Sequence, residues 1–249
     1  TVTDENGATT TATLTITVSG SNDAPVARDD TGTVKEDATL TVSDGDNANA
    51  VSAATYVDGF SISNEEFAPQ GFRFNNDGTK MFVIGSSGDD VNEYTLSTAF
   101  DVSTASFVDS FDISSQELGP RDVAFSNDGL KMFVVGVRGD DVNEYTLSTA
   151  FDVSTASFVD SFDISSQEDN PTGLAFNNDG TKMFVAGNAG DDINEYTLST
   201  GFDVSTASFV DSFSVSSQDT TPNGLSFNSD GTKMYVVGNQ GNDINEYDL

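Results

Sequence analysis

The sequence predicts an all-β protein dominated by four copies of one unit, and three observations carry that reading. Asp77-Gly78, Asp128-Gly129, Asp179-Gly180 and Asp230-Gly231 recur every 51 residues, as do Asn92-Glu93-Tyr94, Asn143-Glu144-Tyr145, Asn194-Glu195-Tyr196 and Asn245-Glu246-Tyr247. A fixed period near 50 marks a supersecondary unit that cannot bury its faces alone and stacks on copies of itself. Each copy also holds four strand-like runs separated by Asn, Asp and Gly turn signals. Four antiparallel strands at this period are the pattern of a β-propeller blade.

Within the first copy the elements follow in order. Gly71-Phe72-Arg73-Phe74 is the first strand, matched by Gly173-Leu174-Ala175-Phe176 and Gly224-Leu225-Ser226-Phe227. An Asn-Asp-Gly turn follows and signals a hairpin. The second strand, Lys80 to Gly85, is apolar on both faces, as expected where a sheet packs on neighbours on both sides. A Gly-Asp-Asp turn leads to the third, Val91 to Leu96. A Ser/Thr-rich loop, Ser97 to Ala105, leads to the fourth, Phe107 to Ile113, whose Asp residues on both faces suit an outer edge. Residues 55–63 match a fourth strand, and the sequence reaches Leu249 just after a third. A strand from the N-terminal side would complete the last blade, so the repeats form either a closed four-bladed ring or part of a larger one.

Ahead of the repeats, Asp4-Glu5-Asn6-Gly7 supplies turn chemistry and Thr11 to Val18 alternates as a half-buried strand. The runs TVTDENGATTTATLTITVSGSNDAP and ARDDTGTVKEDATLTV resemble the end of one VCBS-type, bacterial cadherin-like repeat and the start of the next. That resemblance, over about residues 1–43, implies an incomplete immunoglobulin-like β-sandwich segment of the kind strung along large RTX-type bacterial adhesins. The domain division is then 1–22 (end of a sandwich repeat), 23–50 (linker and first strands of a second) and 51–249 (propeller). The propeller copies run 51–101, 102–152, 153–203 and 204–249. The PxGLAF-NxDGTKMFV-G-GDD-INEY-L pattern resembles the YVTN/NHL-type propeller superfamily, which hosts many functions.

Composition narrows the chemistry. The 249 residues carry 41 acidic and 9 basic side chains, a net charge of −32. Such a surface repels nucleic-acid phosphate and anionic lipid. With no Cys and no His, disulfides, thiolate catalysis, Ser-His-Asp triads and Cys/His zinc sites are excluded. No apolar run reaches the roughly 18–20 residues of a membrane span. The sequence opens at Thr1 in what reads as mid-strand, so a piece of a longer, extracellular or cell-surface bacterial protein is expected.

Hard cations take clustered oxygen ligands. The Gly-Asp-Asp turns therefore offer Asp90, Asp141, Asp192 and Asp243 to calcium, with Glu93, Glu144, Glu195 and Glu246 three residues on. The competing reading is that Asp and Gly simply make the turn. The cadherin-like resemblance implies further calcium ligands at the junction, Asp23, Asp29 and Asp30 among them. The repeated Lys80, Lys131, Lys182 and Lys233 read as surface ion pairs, and Met81, Met132, Met183 and Met234 as core. Phe107, Phe158 and Phe209 offer a repeated surface for a glycan. Residues 89–117 and 140–168 are identical. A catalytic centre needs groups with different tasks, so such copying favours repeated binding or scaffolding. The expected function is therefore a non-catalytic adhesin-type module that binds a glycan or surface protein or acts as a spacer, its junctions stiffened by calcium. The alternative is a lactonase-like propeller hydrolase with a metal in its central channel.

Overall fold

The structure, a computed structural model, describes residues 2–3, 9–10 and 55–249. In the N-terminal unit a short pair, β1 (Val2–Thr3) with β2 (Thr9–Thr10), runs antiparallel. The cadherin-like junction lies otherwise outside the described residues, with Asp23, Asp29 and Asp30.

Asp58–Leu249 form the second unit, a four-bladed β-propeller arrangement. Blade 1 comprises β3 (Pro69–Phe74), β4 (Lys80–Gly85), β5 (Asp90–Leu96) and β6 (Ala105–Asp112). Blade 2 comprises β7 (Pro120–Phe125), β8 (Lys131–Gly136), β9 (Asp141–Leu147) and β10 (Ala156–Asp163). Blade 3 comprises β11 (Pro171–Phe176), β12 (Lys182–Gly187), β13 (Asp192–Leu198) and β14 (Ala207–Ser214). Blade 4 holds β15 (Pro222–Phe227), β16 (Lys233–Gly238) and β17 (Ile244–Asp248). Every pairing is antiparallel between consecutive strands. The first strands lie innermost, in the order β3, β7, β11, β15.

The turns explain the strands. At Asn75-Asn76-Asp77-Gly78 the glycine adopts φ 70°, where a side chain is strained. The Asp77 carboxylate accepts from Thr79 N at 3.0 Å and Thr79 Oγ1 at 2.6 Å, and Asn75 Oδ1 accepts from Lys80 N at 2.9 Å. The next turn places Asp89 at φ 49°, a left-handed position that Asp and Asn tolerate.

The core lies between blades rather than inside any one of them. Phe82, Ile84 and Val91 of blade 1 pack with Met132, Val134 and Tyr145 of blade 2, and the pattern repeats around the arc. This is why the second strand reads as apolar on both faces. All four repeated methionines are buried, as expected. Residues 55–63 differ from the expectation: they form no strand among the described residues, and β17 has no fourth-strand partner there. Blades 1 and 4 keep exposed apolar faces, which favours an arc of a larger ring over a closed ring of four.

Candidate active site

The four copies differ most on their innermost strands. Position by position, β3, β7, β11 and β15 carry Gln70, Arg121, Thr172 and Asn223; then Gly71, Asp122, Gly173 and Gly224; then Arg73, Ala124, Ala175 and Ser226. The strands that are copied without change are the outer ones.

Arg73 and Asp122 are the product of this divergence. Arg73 Nη2 lies 2.6 Å from Asp122 Oδ2 and also donates to the Leu174 carbonyl at 3.1 Å, so one guanidinium spans three innermost strands. Asp122 is buried. Its oxygens accept from Leu174 N at 3.0 Å and Val123 N at 2.9 Å. Burial pushes its carboxyl above the ordinary range, against the pull of Arg73 and the two backbone N–H groups. With both oxygens committed, Asp122 orients Arg73. Arg73 itself is partly open and lines a concavity of about 1270 Å³ bounded by the inner strands, the Asn-Asp-Gly turns and the outer strands of blades 3 and 4. Beside it, Arg121 Nη1 donates to Gln70 Oε1 at 2.8 Å. Sequence reasoning missed Asp122. The signal was available in the aligned copies, where Asp122 interrupts a column of glycines.

The acidic turns are hydrogen-bonded within their own strands. Asp90, Asp141, Asp192 and Asp243 each accept a hydrogen bond from the Asn two residues on, at 2.8, 2.6, 2.8 and 3.0 Å. Burial raises Asp90, Asp141 and Asp192 above the usual carboxylate range. Glu93 stands three residues from Asp90 along one strand, hence on the opposite face, and the two do not converge. Instead Glu93 and Glu144 are buried against Lys80 and Lys131 at 2.6 and 2.7 Å. Those lysine pairs are therefore inter-blade fixtures rather than surface pairs. Among the described residues no three His, Cys, Asp or Glu side chains are grouped to hold a metal ion. Phe107, Phe158 and Phe209 lie half-exposed, each edge-on to a buried tyrosine at 5.7 Å.

No known family pattern matches the chain, and no curated protein matches it. Its fold is similar to several solved propellers. One is a candidate 6-phosphogluconolactonase from Bacteroides uniformis (TM-score 0.54, 14% identity, 72% of this chain and 50% of that one). Another is a candidate 6-phosphogluconolactonase from Bacteroides fragilis (TM-score 0.53, 13% identity, 72% and 50%). A third is the periplasmic gluconolactonase of Pseudomonas aeruginosa (TM-score 0.50, 17% identity, 72% and 49%). At such identities the likeness establishes the propeller fold alone. The chain spans about half the length of these proteins.

The expectation of a non-catalytic adhesin-type module, and with it the reading as a non-enzyme, is corrected on this basis. Three of the solved propellers that the chain resembles are named as lactonases. The physical premise also fails, because the identity of residues 89–117 and 140–168 belongs largely to outer strands and turns. The inner wall, where a propeller binds small molecules, is asymmetric. Among the described residues no helix is long and apolar enough to cross a membrane.

Proposed function

We propose that the chain is part of a lactonase-like propeller that opens a sugar-acid lactone against its inner wall. The observation that carries the reading is Arg73, the one cation projecting from an innermost strand into the concavity while braced by a buried carboxylate. The likeness to propellers named as lactonases supports it. The likeness to a periplasmic protein supports a location outside the cytoplasm.

Lactone hydrolysis adds water to the acyl carbon and breaks its bond to the ring oxygen. One water proton ends on the released hydroxyl, and the acid formed ionises. Negative charge gathers on the acyl oxygen in between. Donors fixed where that charge develops are worth most when they need no reorganisation. Arg73 supplies such N–H groups, and Asp122 with the Leu174 carbonyl holds them in place. The product is a carboxylate, which the planar guanidinium also matches.

The test is hydrolysis of glucono-δ-lactone and 6-phosphogluconolactone, followed by proton release. Arg73→Lys is expected to lower kcat/KM about 10²-fold, the scale for losing one donor to a developing oxyanion. Absence of turnover above the spontaneous rate on both lactones removes the proposal.

A further inference from the structure

Among the described residues two cations line the concavity, Arg73 and Lys182, and each already faces a carboxylate. Arg73 lies 2.6 Å from Asp122, and Lys182 lies 2.8 Å from Glu195. Arg121 is turned to Gln70 Oε1 at 2.8 Å. Paired in this way, Arg73 keeps N–H groups to donate to a developing oxyanion but brings little net charge to the wall. A group that arrives with charges of its own finds no free cation there.

What the wall does offer is a row of hydrogen-bond acceptors. The turns after the innermost strands read Asn76-Asp77-Gly78, Asn127-Asp128-Gly129, Asn178-Asp179-Gly180 and Ser229-Asp230-Gly231. Their first residues lace each blade to the next. Asn76 Nδ2 donates to Asn127 O at 2.7 Å, Asn127 Nδ2 donates to Asn178 O, and Asn178 Nδ2 donates to Ser229 O at 2.8 Å. A backbone carbonyl accepts only from the amide nitrogen, so each lace leaves the other branch of the same side chain, its oxygen, as an acceptor. All three asparagines line the concavity.

The second residue of each turn adds negative charge. Asp77, Asp128, Asp179 and Asp230 are exposed, one in every blade. The hydroxyls of Thr79, Ser126, Thr181 and Thr232 hold their carboxyls below the ordinary range, so all four are ionised at neutral pH. Asp179 and Asp230 line the concavity directly. Because the laces tie consecutive turns together, the four charges follow one another along its edge. The lysines after the turns do not offset them, since Lys80 and Lys131 are paired with Glu93 and Glu144. A cleft lined by one sign of charge concentrates ions of the opposite sign and depletes those of its own.

We propose that the site admits an uncharged, hydroxyl-rich lactone and turns away a phosphorylated one, the ionised carboxylates of the turns acting as the filter. This rests on the lactonase function proposed for the same wall. A hydroxylated ring donates the hydrogen bonds that the oxygens of Asn76, Asn127 and Asn178 accept. A phosphate monoester carries about two negative charges at neutral pH and presents acceptor oxygens. It therefore meets acceptors with acceptors and negative charge with negative charge. Arg73, already neutralised by Asp122, cannot compensate for both.

The experiment measures kcat/KM of the full chain for glucono-δ-lactone and 6-phosphogluconolactone, by proton release above the spontaneous rate. It is run at about 0.01 M and about 1 M NaCl, between which the Debye length falls from about 30 to about 3 Å. At low salt the unphosphorylated lactone is expected to be preferred by at least about tenfold, the lower end of what charge focusing does to association. At high salt that preference narrows, because the phosphorylated lactone gains most from screening. Asp179→Asn combined with Asp230→Asn keeps an acceptor for Thr181 and Thr232, and is expected to narrow the preference at low salt in the same direction. The salt series stands on the parent chain alone, whatever the variant's stability. Equal turnover, or a preference for the phosphorylated lactone, overturns the filter and leaves the lactonase function standing. A preference that neither salt nor the variant moves is one of shape, and overturns the filter too. Turnover of neither lactone removes the lactonase function, and the filter with it.

Discussion

Lys80 and Glu93 sit on adjacent strands of blade 1 with Nζ and Oε1 2.6 Å apart, yet both spend their remaining bonding capacity on blade 2. Glu93 Oε2 accepts from Val153 N, and Lys80 Nζ donates to Phe151 O. To present that carbonyl, Phe151 takes φ 55°, as Phe100 and Phe202 do at 59°. A bulky residue in the left-handed region costs on the order of 1–2 kcal/mol, which the surrounding contacts must offset. An ion pair within one blade thus acts as the fastening between two.

Removing one partner of such a buried pair strands the other. Glu93→Ala leaves Lys80 and the Val153 N–H without an acceptor and is expected to cost about 3–5 kcal/mol. Lys233→Ala, whose partners Glu246 and Asp248 are exposed, is expected to cost about 0–1 kcal/mol. Urea unfolding of both variants, read as midpoint at unchanged slope, checks the contrast. Equal losses would show that the inter-blade bonds contribute nothing beyond a surface pair.

A second repeated device is a buried carboxylate beneath a strand-end glycine. Glu117 accepts from Arg138 N and Gly139 N, both at 3.1 Å, and Glu168 accepts from Asn170 N at 2.7 Å and Ala189 N at 3.0 Å. A Cβ at Gly136 or Gly187 would land on those carboxyl groups. Gly187→Ala is expected to cost about 1–3 kcal/mol by overpacking. At Gly231 a Cβ meets nothing, but φ is 71°, so Gly231→Ala is expected to cost only about 1 kcal/mol through its backbone. Thermal unfolding of the two variants ranks them, and the reverse order would refute the packing account.

How far the sequence reveals this molecule depends on the range of each interaction. The 51-residue period, the Asp-Gly turns and the two-faced second strand are local patterns, so blade and strand order were legible. Glu93 was not, because its partner Val153 lies 60 residues away and spacing along β5 suggested a shared site with Asp90 instead. Arg73 was visible as an odd cation, but its bracing by Asp122 and Leu174 spans 49 and 101 residues. Overall identity between copies concealed the divergence confined to six-residue inner strands. Residues 58–63 read as a fourth strand by composition, and they take a strand's place against blade 1 without a partner to make them one.

Acid and neutral pH should separate two classes of carboxylate. Burial raises Glu117 and Glu168 above 4.5, against backbone N–H groups that pull them down. A raised native value means that the folded state binds the proton more tightly than the unfolded one. The charged pair therefore costs stability above the raised values, and this cost disappears below 4.5. By contrast Asp77, Asp112, Asp163, Asp179 and Asp230 are held below 3.8 by Ser or Thr hydroxyls, and their contribution is lost as pH falls through the lowered values. The double variant Glu117→Gln/Glu168→Gln is expected to gain relative to the parent as pH rises from about 4 to 7, measured by denaturant midpoint at each pH. Parallel curves would show that the two carboxyls titrate alike in both states.

The Arg73–Asp122 pair allows a prediction that separates bracing from folding. Asp122 stands where the other copies carry Gly71, Gly173 and Gly224, and Arg73 where they carry Ala124, Ala175 and Ser226. The pair is thus an addition to a blade that folds without it. Arg73→Ala alone leaves a buried carboxylate with only backbone N–H donors, and a loss of about 3–5 kcal/mol is expected. Adding Asp122→Gly restores the pattern of the neighbouring copies and is expected to recover most of that loss, because replacing both members of a buried pair is often close to neutral. The double variant is then a folded protein without the inner-wall cation. On the proposed function it retains the parent's unfolding midpoint to within about 1 kcal/mol and loses lactone hydrolysis. If the double variant is as unstable as Arg73→Ala, the pair is a structural element of the blade. If it is stable and still opens lactones, Arg73 has no part in the reaction.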